Sequence, residues 1–89
     1  MKDEKELIRI IEQINKQMDM VIGDTTVPRN VRAAANEAKN ALNAQGDYVV
    51  RISGAIYAID SISNDINLQP QARTVIWNIL SMLESVKEE

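Results

Sequence analysis

Apolar positions recur along this chain at the spacing of an α-helix. Between about residues 3 and 22, Leu7, Ile10, Ile11, Ile14, Met18, Val21 and Ile22 fall within one stripe roughly 120° wide. Lys5, Arg9, Glu12 and Lys16 lie outside it. Asp3, Glu4 and Glu6 suit the positive N-terminal end of the helix dipole, and Gly23 is expected to stop the helix in a C′ role. A second helix is expected over about 28–44. It opens on Pro28, whose missing N–H is not needed in a first turn. Its apolar face is Val31, Ala34, Ala35, Ala38, Ala41 and Leu42, and so many alanines allow a neighbouring helix to come close. The third, about 47–63, starts at Asp47 as N-cap and carries Val49, Ile52, Ala55, Ile56, Ile59 and Ile62. Val50 and Tyr57 point roughly the other way, so this helix is expected to be the most buried. The fourth, about 70–86, begins near Pro70 and presents Ala72, Val75, Ile76, Ile79, Met82, Leu83 and Val86.

Four helices with short connections predict an all-α fold: one antiparallel four-helix bundle, built from two helical hairpins in a single domain over 1–89. An offset of 41 residues aligns the halves weakly. It sets Asp19 on Asp60, Val21 on Ile62, Asp24 on Asp65, Val27 on Leu68, Arg32 on Arg73 and Leu42 on Leu83. The shared unit resembles the helical hairpin of HEAT repeats. Two units are too few for a solenoid, so the hairpins are expected to close on each other. The pairs Asp24/Arg32 and Asp65/Arg73 are expected to brace each loop against the following helix, at about 0–1 kcal/mol each.

Composition narrows the chemistry. The 89 residues include no Cys and no His, which removes thiol nucleophiles, disulfides, imidazole bases and the common zinc ligands. A di-iron bundle site needs Glu-x-x-His, and neither Asp-bearing loop has calcium-loop spacing, so no metal and no cofactor are expected. Asp60 lies toward the apolar side of its helix and is the one carboxylate worth testing for burial, as the centre of a small enzyme or ligand site. A single carboxylate without a matched partner is no catalytic constellation, and the chain leans away from being an enzyme. No apolar run approaches the ~20 residues of a membrane span. The mixed charges of residues 1–6 are unlike a signal peptide, and a cytoplasmic setting is expected.

Two surface features remain. Arg29, Arg32 and Lys39 make a small basic patch on a chain of net charge −3, a candidate anion or RNA site on a protein whose overall charge argues against nucleic acid. Trp77 lies off the core stripe of the fourth helix, with Arg73, Leu80 and Glu84 beside it. Val50, Gly54, Tyr57 and Ala58 give the third helix a second apolar side. An off-core Trp is typical of interfaces. These residues form the candidate protein–protein surface, for a second copy or another partner. The alternatives are that Trp77 caps the bundle against Tyr57, or that Arg73 stacks over it.

Val27-Pro28-Arg29-Asn30-Val31-Arg32-Ala33-Ala34, Ile59-Asp60-Ser61-Ile62-Ser63-Asn64-Asp65 and Ala72-Arg73-Thr74-Val75-Ile76-Trp77-Asn78-Ile79 resemble a family of small archaeal proteins, uncharacterised protein family 0147. The resemblance covers most of the chain. It implies an archaeal cytoplasmic protein with an all-helical bundle, and it implies no activity and no site residues.

Overall fold

The computed structural model describes residues 3–87. Its helices are α1 (Glu4–Ile22), α2 (Arg29–Leu42), α3 (Tyr48–Asp60) and α4 (Pro70–Lys87). Their starts follow from local chemistry. The Asp3 carboxylate accepts the Glu6 N–H at 2.8 Å, and Asp47 accepts the Val49 N–H at 2.7 Å. Each satisfies a donor that the first turn leaves open. Pro28 precedes α2 rather than lying inside its first turn, and no side chain caps that helix.

The ends differ from the pattern. α2 stops at Leu42 rather than 44, and α3 stops at Asp60 rather than 63. Polar side chains take over the last carbonyls at both places. Asn43 Nδ2 donates to the Lys39 carbonyl at 2.7 Å. Ser61 Oγ donates to the Ala58 carbonyl at 2.6 Å, and Ser63 Oγ to that of Asp60 at 3.1 Å. Such bonds compete with continued helix. Gly23 follows α1 with a right-handed φ of −84°, so the expected left-handed stop is not used there. Gly46, between α2 and α3, has φ 125° and needs to be glycine.

Each helix packs on two others, in the cycle α1–α2–α3–α4 closed by α4 on α1. Neighbours run antiparallel. Asn15 and Asn43 exchange amide hydrogen bonds at 3.0 and 2.8 Å, while Asp19 pairs with Lys39. Gly54 faces Ala41, whereas Asp65, beyond the end of α3, reaches Asn30 at the start of α2. Met20 and Val21 lie near Ala72, whereas Ile10 lies near Val86. The core at the centre of this ring is aliphatic, with Ile14, Met18, Leu42, Ile59, Ile76, Ile79 and Leu83 its largest fully buried side chains.

The 41-residue repeat is structural. Ile11/Ile52, Ile14/Ala55, Met18/Ile59, Val21/Ile62, Val27/Leu68, Ala35/Ile76, Ala38/Ile79 and Leu42/Leu83 are all buried, pair by pair. The loops repeat as well. Asp24 accepts the Thr26 N–H at 2.9 Å, and Asp65 accepts the Asn67 N–H at 2.8 Å. Buried Val27 and Leu68 then peg each loop to the core.

Helix α3 is not the most buried element. Val49, expected on its core face, is 55% exposed, and Val50 is 71% exposed. Only Ile52, Ala55, Ala58 and Ile59 are buried within it. In a ring of four, each helix touches two neighbours and the central core, and its outer side remains in water.

Candidate functional site

The candidate surface is built by the outer sides of α3 and α4, which are neighbours. Tyr57 is 82% exposed and Trp77 48% exposed, and Val49 and Val50 are exposed at the start of α3. Val50 and Tyr57 are seven residues apart, hence on one side of α3. Arg73 and Glu84 are exposed.

Two expected members lie elsewhere. Leu80 is buried in the core, because α4 turns a wider apolar stripe inward than its spacing suggested. Gly54 sits in the α2/α3 seam, where an added Cβ would stand 3.2 Å from Ala41 Cβ. Ala58 is buried too. Gly54 does permit close approach, and Ala41 of α2 in the same chain makes use of it.

The arginines act on backbone. Arg32 Nε donates to the Val27 carbonyl at 3.1 Å, and Arg73 Nη2 donates to the Leu68 carbonyl at 3.3 Å. The expected pairs Asp24/Arg32 and Asp65/Arg73 are therefore not direct ion pairs: each acid holds its own loop, and each arginine holds the peptide of the buried peg. The hydroxyl of Thr26, at 2.6 Å, holds the Asp24 carboxyl below the usual carboxylate range, aided by the Thr26 N–H and then by the charge of Arg32. The Asn30 amide, at 2.8 Å, lowers Asp65 likewise, with the Asn67 N–H second. The stacked cation is Arg51, 4.5 Å from the Tyr48 ring centre.

The basic patch is largely committed. Lys39 pairs with Asp19, Arg32 is tied to Val27, and Arg29 is exposed. Asp60 is exposed at the end of α3, which corrects the expectation that it faces the apolar side. The repeat accounts for the difference between the two acids. Asp19 has Lys39 opposite, whereas the residue equivalent to Lys39 in the second unit is Leu80, which the core takes.

Two clefts open along the α1/α4 seam. One, of about 200 Å³, is lined by Met20, Val21, Asp24, Val27, Gln71, Ala72 and Val75. The other, of about 290 Å³, is lined by Ile10, Gln13, Ser81, Met82, Ser85 and Val86. Neither gathers an acid, a base and a nucleophile. Among the described residues no three His, Cys, Asp or Glu side chains come together to hold a metal ion. No helix among them is long and apolar enough to cross a membrane.

This arrangement matches known proteins over nearly its whole length. Residues 1–86 fit the model of the Uncharacterised protein family (UPF0147). The chain belongs to this family. A UPF0147 protein of Methanocaldococcus jannaschii, MJ1419, is 47% identical over 85 residues, covering 94% of this chain and 91% of that one. One from Archaeoglobus fulgidus is 39% identical, covering 89% and 91%. These relatives are archaeal. Among solved structures, a protein of unknown function, MMP1188, superposes with TM-score 0.80 at 45% identity, covering 85% of this chain and 88% of its own. A UPF0147 protein from Thermoplasma acidophilum gives TM-score 0.82 at 28% identity, covering 88% and 93%. The bundle is thus the UPF0147 fold, and the resemblance seen in the sequence motifs is membership.

The Asn30–Asp65 bond between hairpins does not follow from helical spacing. A signal existed: Asp65 lies at the repeat equivalent of Asp24, in a loop that must pass the start of α2. Ile66, which belongs to none of the apolar stripes, stands 90% exposed in the second loop.

Proposed function

We propose that this UPF0147 protein is a non-enzymatic interaction module that docks a second protein, in the first instance another copy of itself, on the outer face of α3 and α4. One observation carries this reading: Val49, Val50, Tyr57 and Trp77 leave four large apolar side chains in water on two neighbouring helices. Exposed aromatic side chains of this kind anchor interfaces. Light scattering across a concentration series tests it. The expected result is a mass that rises to a dimer or larger and returns to monomer in Tyr57→Ser/Trp77→Ser. A monomer at every concentration, with Trp77 fluorescence unchanged, would count against self-association on this face.

A further inference from the structure

The two seams that join the hairpins are equivalent under the 41-residue repeat, yet they are built from different side chains. At α2/α3, Gly54 and Ala41 meet so closely that an added Cβ would be 3.2 Å away. The equivalents at α1/α4 are Gln13 and Met82, which line one cleft together. Ala58 in the first seam corresponds to Gln17 in the second, and Ala34 corresponds to Val75. Gln17 lies one turn from Gln13 and one turn from Val21, between the two clefts. Its Oε1 is buried and meets no protein hydrogen-bond donor. Small residues thus draw α2 and α3 together, whereas longer and partly polar ones stand between α1 and α4.

Topology adds to this contrast. Residues 43–47 link α2 directly to α3, whereas α1 and α4 are the first and last of the described helices and lie far apart along the chain. A cleft forfeits contacts across it, and a buried oxygen without a donor favours hydration. Two features therefore weaken the same seam: the clefts and the Gln17 oxygen.

We propose that the bundle has a built-in opening mode, in which the α1–α2 and α3–α4 hairpins part along the α1/α4 seam while the α2/α3 seam stays closed and acts as the hinge. Opening wets Gln17 and the inner faces of Val21, Val75 and Val86. A helix stripped of packing along one face is marginal in water, so in the open form the hydrogen-bond ladders of α1 and α4 break more often than those of α2 and α3.

Native-state hydrogen exchange on the full chain tests this with central core amides, away from helix ends. Amides at Ile14 and Met18 of α1 and at Ile76 and Ile79 of α4 are expected to exchange at least about tenfold faster than those at Ala38 and Ala55, through a sub-global opening. The chain has no native cysteine, so Gln13→Cys/Ser85→Cys can be joined by a short thiol cross-linker across one cleft. The cross-linked form is expected to lose the gap, whereas the same variant without the linker keeps it. Uniform exchange in the unmodified chain would overturn the proposal. A gap that survives cross-linking would also overturn it, since the fast amides would then report helix fraying.

Discussion

At the scale of single residues, two aspartates and one glycine carry the connections. Asp24 and Asp65 both sit below the ordinary carboxylate value of 3.8, through hydrogen bonds that only the ionised form accepts fully. A folded-state pKa below the unfolded one gives stability that is present above the unfolded value and is lost as pH falls through the folded value. The urea midpoint should therefore hold steady down to about pH 4 and then fall, and Asp24→Asn/Asp65→Asn should flatten part of that fall. A midpoint with the same acid dependence in the variant would disprove the linkage. Gly46 has open space around its missing Cβ, so only its φ of 125° resists substitution. Gly46→Ala should cost about 1–3 kcal/mol in chemical denaturation, by backbone strain alone. These roles were partly legible. Asp in a loop before a helix suggests a local bond, but spacing pairs Arg32 and Arg73 with the acids, whereas their targets are peptide carbonyls. Sequence spacing does not tell which of two acceptors within reach a guanidinium will choose.

At the scale of helices, the apolar stripes predicted four elements well and their outer faces less well. Period 3.6 fixes which residues share a side, so Ile14 with Met18 and Ile76 with Ile79 follow from spacing. It does not fix how wide the buried arc is. That width depends on the neighbours, which is why Leu80 goes inward and Val49 stays out. Gly54 shows the same limit: its spacing with Ala58 announced a close approach, while the partner helix, α2, emerged only from the packing. Gly54→Leu should push α2 and α3 apart at Ala41 and destabilise by about 1–3 kcal/mol, read from a denaturant midpoint. An unchanged midpoint would mean that the seam has slack. Gly54→Ala is a balance between better helix propensity, worth about 1 kcal/mol, and a contact tighter than usual, so its sign reports how far Ala41 can yield.

At the scale of the whole molecule, two copies of one hairpin enclose a single core with no disulfide. Leu42 and Leu83 hold equivalent, fully buried places in the two units. Leu42→Ala and Leu83→Ala should each cost about 2–5 kcal/mol, with one cooperative transition seen by every probe. Two separate transitions would show that the hairpins fold independently. Helical class, the four elements, the hairpin repeat and the family are legible in the chain alone, because those depend on local spacing and motifs that no partner can alter. Tertiary structure alone decided which seam is tight, where Asp60 and Leu80 lie, and that Asn30 ties one hairpin to the loop of the other. Those depend on distances between segments far apart in the chain, and a hydrophobic period fixes a direction around a helix but not what stands opposite it.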